Sequence, residues 1–287
     1  MKKEKKAIVL GGGGHFGIAW ELGYLRGLEE AGVPVRKADI FVGTSAGSQV
    51  SAIMTSNKDW NTIWKEQIDK TFTEITPISD IEMDELFNKF NEIERTASSA
   101  KEWIEAHGKI SKETAAFLSN EERQLMIKER LGSDRPSWNS KLRIVATNIE
   151  TAERAVFTQD SGVSILDALQ ASSALQGVWP PVEINGKHYF DGGSYSMENP
   201  DVVTDATKML VLSTGLPVAV PYKLESLLTN LENNGCETKL ILPSTEVMAI
   251  LKAFHFNTVE AKIRPSVANA GYIQGQKDAE TISKLWK

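Results

Sequence analysis

Ile40-Phe41-Val42-Gly43-Thr44-Ser45-Ala46-Gly47 reads as a buried strand that turns into a helix at a serine. The apolar run Ile40–Val42 supplies the strand, and Gln49-Val50-Ser51-Ala52-Ile53-Met54 continues with helical character. A strand-to-helix turn this tight forces its central residue into a strained backbone conformation that pushes the side chain clear of the chain. It also needs small residues two before and two after, and Gly43 and Gly47 meet that need. Ser45 is therefore a candidate nucleophile, set in the strand-turn-helix context that Gly-X-Ser-X-Gly requires. The string alone is common in long chains, so the rest of the sequence decides how it is read.

Working outward, Gly11-Gly12-Gly13-Gly14 follows the strand-like Ala7-Ile8-Val9-Leu10 and leads into a helical pattern through Ile18, Leu22, Leu25 and Leu28. Backbone N–H groups crowded at a helix start bind a phosphate or stabilise an oxyanion, and spacing does not choose between the two. Gly12, Gly14 and Gly17 satisfy G-x-G-x-x-G, which raises a nucleotide- or phosphate-binding module as one reading of the Gly11–Gly17 loop. That reading expects an acidic residue at the end of the second strand. Here that strand ends in Gly43-Thr44-Ser45, and Asp39 precedes its apolar run.

A third signal is Tyr189-Phe190-Asp191-Gly192-Gly193, a short aromatic strand that runs into an aspartate followed by two uncrowding glycines. Asp191 in that place can act as a base, while the plain reading is an Asp-Gly turn.

Taken together, the glycine-rich turn, the serine elbow and the late Asp-Gly-Gly resemble the patatin-like phospholipases. The resemblance extends through Ala171-Ser172-Ser173-Ala174 and Trp179-Pro180-Pro181-Val182 to Asp191, and covers roughly residues 5–56 and 141–215. It implies a Ser-Asp dyad, with Ser45 as nucleophile and Asp191 as the base that takes its proton. It also implies an oxyanion hole of main-chain N–H groups at Gly12, Gly13 and Gly14. His15, His107, His188 and His255 show no spacing that marks one of them as the imidazole of a triad. In one respect the chain departs from the family: Phe16 stands where many members carry a basic residue. His15, just before it, is either a substitute donor or a residue that packs.

Composition sets the wider limits. With 287 residues, 41% of them apolar and 24% charged, the chain has the make-up of an ordinary globular protein. It is long enough for one large α/β domain, with a mainly parallel sheet flanked by helices. Strands are expected at 6–10, 39–44, 142–148, 154–158, 187–190, 208–213 and 239–242, and a last helix from about Ser266 to Trp286. Residues 57–138 read as a helical cap inserted after the elbow, with 12 Lys+Arg against 17 Asp+Glu. An acidic cap is poorly suited to nucleic acid or to anionic membranes, both of which favour basic patches. Four tryptophans, Trp60, Trp64, Trp103 and Trp138, lie in this cap. They read as the cap's own packing core, or as an apolar lid over an acyl-chain pocket. The single cysteine, Cys236, excludes an internal disulfide, and the basic start before a four-residue apolar stretch does not read as a signal peptide. A cytoplasmic protein is the expectation. Asp201 and Asp205 read as capping or surface groups, and Ser244 or Thr245 as a helix cap.

The activity these readings imply is hydrolysis of carboxylic esters of lipids through an acyl-enzyme on Ser45, with acyl transfer to an alcohol as the alternative. No metal or organic cofactor is expected, because serine and base make and break the bonds themselves. The expected partners are a lipid or acyl-ester substrate and a transient membrane-surface contact, with no nucleic acid.

Overall fold

The structure, a computed structural model, describes residues 4–69, 80–116, 118–133 and 135–286. Residues 1–3 of the basic lead-in and 70–79 of the expected cap lie outside them. Strand β1 (Lys6–Leu10) leads into helix α1 (Gly14–Glu30), and β2 (Ile40–Thr44) into α2 (Ala46–Met54). Then follow α3 (Trp60–Trp64), a π-helical turn at Lys65–Asp69, α4 (Asp80–Thr96), α5 (Ala100–Glu113) and α6 (Asn120–Leu131). The chain returns through β3 (Leu142–Asn148), β4 (Glu153–Phe157), α7 (Ile165–Ser172), β5 (Val182–Ile184) and β6 (Lys187–Asp191). It ends with β7 (Lys208–Leu212), α8 (Leu224–Asn233), β8 (Glu237–Ile241), α9 (Thr245–Ala253) and α10 (Arg264–Trp286).

The strands form one mixed sheet of order β5-β6-β3-β2-β1-β7-β8, with β4 also on β3. Pairs β3-β2, β2-β1, β1-β7 and β7-β8 are parallel, whereas β4 and β6 on β3, and β5 on β6, are antiparallel. The mostly parallel α/β reading is thus the observed one. Strand β1 lies in the middle of the sheet, which is why Ala7-Ile8-Val9-Leu10 is continuously apolar and buried on both faces. Ile8 and Leu10 join the larger core with α1, α2 and α10. Ala7 and Val9 face the other way, onto Leu228 and Leu231 of α8.

Helices α1 and α10 approach closely because glycines line their contact. A Cβ at Gly23 would lie 2.1 Å from the Ala268 carbonyl oxygen, and one at Gly275 would lie 2.2 Å from that of Tyr24. Ser244 caps α9 as expected, and α10 begins at Arg264, two residues before the expected start.

Strand β5 was not expected. Three residues directly behind Pro180-Pro181 are too short to show a period, and the strand exists because β6 pairs with it. Between α2 and β3 the described residues hold helices and no strand. The tryptophans correct one expectation, since Trp60, Trp64 and Trp138 pack against the main core and not against a core of the cap's own. Arg26 of α1 stacks over Trp64 at 4.5 Å. Only Trp103 sits in a separate apolar cluster, with Ile104, Ile149, Ala152 and Phe190. No helix among the described residues is long and apolar enough to cross a membrane.

The close α1–α10 crossing predicts that Gly23→Val lowers unfolding free energy by about 3 kcal/mol or more in urea denaturation. Ile273→Ala on the exposed side of α10 is expected to change it by less than about 0.5 kcal/mol.

Candidate active site

Strand β3 works as a ruler. Along Ile144–Asn148 one of its flanks is occupied by β4, so β2 and β6 share the other. There β2 runs parallel and ends with Thr44 opposite Val145, while β6 runs antiparallel and ends with Asp191 opposite Ala146. The two strands therefore meet head to head, their last residues at neighbouring register positions. Ser45 follows Thr44 at once, and sheet pairing alone brings it to Asp191.

Ser45 has φ 53° and ψ −116°, a conformation that side chains other than glycine rarely adopt. Its surroundings hold it there. Its N–H donates to Ser172 Oγ at 2.9 Å, and its carbonyl accepts from the Ser48 hydroxyl at 2.6 Å. Gly43 and Gly47 are required by close approach, because a Cβ at Gly43 would lie 2.4 Å from Ser48 Cα and one at Gly47 would lie 2.1 Å from the Leu10 carbonyl oxygen.

The glycine run lies beside this elbow. A Cβ at Gly12 would be 3.6 Å from Ser45 Cβ, and Gly47 N–H donates to the Gly11 carbonyl at 2.9 Å. The run is not uniform, since Gly12 N–H already donates to the Met197 carbonyl at 3.0 Å. Gly13 and Gly14, at the start of α1 with φ 155° and 58°, have amides with no acceptor among the described residues. Thus the donor set expected at Gly12, Gly13 and Gly14 narrows to the last two. Phe16, in place of a basic residue, is wholly buried core, and His15 is buried at the helix start.

Asp191 is 4% exposed, and burial raises its carboxyl to about 6. Against that, the Gly193 amide donates to its Oδ1 at 2.8 Å, and the Ser45 hydroxyl and the Arg123 cation both act to lower it. Gly192 is required here, as its Cβ would lie 2.5 Å from the Val145 carbonyl oxygen. Two further acids sit near the glycine run. Burial raises Glu198 to about 7, with Ser213 donating to it at 2.5 Å, and pushes the wholly buried Glu21 well above the usual range.

The histidines fall elsewhere. His107, in α5, pairs through Nδ1 with Gln176, and burial lowers it to about 4. His188 Nδ1 lies 2.9 Å from Glu150 Oε1 at the surface, and His255 is in the turn after α9. Asp201 pairs with Arg154 and Asp205 with Lys5. Sequence reasoning did not single out Ser172 by itself, although the Ala171–Ala174 stretch that carries it was part of the resemblance. Arg123, Glu21 and Glu198 gave no local signal at all.

The model of the patatin-like phospholipase family matches residues 8–203, and the chain belongs to that family. The match runs from β1 past the Asp-Gly-Gly turn and includes both candidate dyad residues. Among solved structures, VipD from Legionella pneumophila is 12% identical, with 98% of this chain and 67% of that one covered and a TM-score of 0.48. The type III effector ExoU is 15% identical over 95% of this chain and 53% of that one, with a TM-score of 0.41. ExoU of Pseudomonas aeruginosa in complex with SpcU is 17% identical over 100% and 53%, with a TM-score of 0.41. The chain thus spans two thirds of VipD's length and about half of ExoU's.

Because the folded-state carboxyl of Asp191 titrates above its ordinary value, its ionisation costs the folded state stability as pH rises from about 4 through about 6. Asp191→Asn is therefore expected to be more stable than the wild type at pH 8, by up to about 3 kcal/mol. The gap closes toward pH 4, and urea denaturation at the two pH values measures it.

Proposed function

We propose that the protein is a lipid acyl hydrolase that cleaves carboxylic esters through an acyl-enzyme on Ser45. The observation that carries this reading is a strained elbow serine set by sheet register beside a buried aspartate whose carboxyl is raised to about 6. An ordinary aspartate, with a pKa of about 3.9, is a weak base for a serine proton. Raised to about 6, Asp191 is still ionised at neutral pH yet holds a proton more firmly, which is what a base facing a hydroxyl requires.

In the first half-reaction Ser45 Oγ attacks the ester carbonyl carbon while Asp191 takes its proton. The carbonyl oxygen becomes an oxyanion, received by the N–H groups of Gly13 and Gly14 at the positive end of α1. The tetrahedral intermediate then collapses, the C–O bond to the alcohol breaks, and the proton on Asp191 passes to the departing oxygen. In the second half-reaction Asp191 takes a proton from water, whose oxygen attacks the acyl carbon, and Ser45 leaves with the proton returned to it. Free carboxylic acid and unmodified enzyme result.

Membership of the patatin-like family supports a lipid as the source of the ester. So do the cap's apolar contacts near the site, where Leu86 of α4 lies against Gly177 and Trp103 and Ile104 of α5 cluster with Phe190.

Nitrophenyl esters of increasing chain length test the proposal. Turnover is expected to fall at least about 1000-fold in Ser45→Ala and Asp191→Asn. In the wild type, kcat/KM is expected to rise with pH through about 6 and then level, as the base loses its proton. Full activity in Ser45→Ala contradicts the proposal.

A further inference from the structure

Residues 170–177, the end of α7 and the turn after it, hold both members of the pair by their main chains. Ser172 Oγ accepts the Ser45 N–H at 2.9 Å, and the Ala174 carbonyl accepts the Asp191 N–H at 3.0 Å. The helices of the cap grip this same segment. Thr114 Oγ1 accepts the Gly177 N–H at 2.8 Å, and His107 pairs with Gln176, whose Oε1 accepts from Ser194 at 3.0 Å. From α6, Arg123 Nη2 donates to the carbonyls of Gln170 and Ser173, both at 3.1 Å.

Arg123 alone among these carries a charge. It is 5% exposed, its guanidinium lies 4.5 Å over the Trp179 ring, and its Nη1 has no hydrogen-bond partner. A buried cation is costly unless it is compensated. Here the compensation comes from carbonyls at the negative end of α7, from the ring face, and from the field of Asp191. No carboxylate forms an ion pair with it among the described residues.

We propose that Arg123 is a positioning residue for the Ser45–Asp191 pair: from the cap it fastens the end of α7, whose segment holds both by their main chains, and it sets its charge in favour of an ionised base. The charge on the base thereby depends on α6 being seated. The groups that face Asp191 are the Gly193 amide, the Ser45 hydroxyl and Arg123. Those that face Arg123 are Asp191 and, on its own helix, Arg130. His107 of α5 is held neutral by burial and adds no charge.

The consequence for catalysis rests on the hydrolase reading, but the test does not. In the full chain with 13C-labelled aspartate, the Asp191 carboxyl signal is assigned by its loss in Asp191→Asn and titrated in the wild type, Arg123→Gln and Arg123→Lys. Glutamine keeps a donor for the α7 carbonyls and removes the charge, whereas lysine keeps the charge and gives up the planar fork. The Asp191 midpoint is expected near 6 in the wild type and higher by roughly a few tenths of a pH unit or more in Arg123→Gln, with Arg123→Lys close to the wild type. The acid limb of ester hydrolysis is expected to move by the same amount. A wild-type midpoint in Arg123→Gln, or an equal rise in both variants, overturns the proposal. Should Arg123→Gln fail to fold, Arg123→Met, which also removes the charge, is titrated in its place, a raised midpoint sustaining the proposal and a wild-type one refuting it. The carboxyl signal is read without any ester being cleaved, so an inactive protein refutes the hydrolase reading and leaves this titration intact.

Discussion

The hydrogen-bond register of β3 is the constraint on which the candidate site depends. Parallel pairing fixes the end of β2 at Val145, and antiparallel pairing fixes the end of β6 at Ala146, on the same flank. Strand β3, which pairs in parallel with β2 and antiparallel with β6, thus creates the place where serine and aspartate meet. Register in a buried sheet is strongly specified, because a slip of one residue turns every side chain to the opposite face. Two residues 146 positions apart are therefore placed by backbone pairing, and no side-chain contact between them is needed to bring them together.

Around that junction, close packing does the rest. The elbow is strained at Ser45, and the strain is held by Ser172, by Ser48 and by glycines that leave no room for a Cβ at positions 43 and 47. Burial then sets the electrostatics at two acids. It raises Asp191 toward the neutral range, and it pushes Glu21, near the glycine loop, well above the usual carboxylate range. Three donors or cations temper the first effect, so the carboxyl remains ionisable near neutral pH.

Much of this was legible in the chain because it is local. The apolar runs of β1, β2 and β7, the small residues of the elbow and the uncrowded turn after Asp191 each leave a mark within a few residues. What was not legible is long-range. Strand β5 is defined by its partner, and the sequence does not say that Trp60, Trp64 and Trp138 pack against the main core. Gly12 looked equivalent to Gly13 and Gly14, and only the return of the chain at Met197 occupies its amide. Arg123 reads as one charge in an acidic helical region, and its burial over Trp179 arises from the docking of α6 on α7.

The most direct test of the account is a crystal structure of the protein after reaction with an alkyl fluorophosphonate. The account predicts phosphorus bonded to Ser45 Oγ, with the phosphoryl oxygen about 3 Å from the Gly13 and Gly14 nitrogens and Asp191 beside the ester oxygen. Phosphorus on another residue, or a phosphoryl oxygen turned away from those two amides, would contradict it.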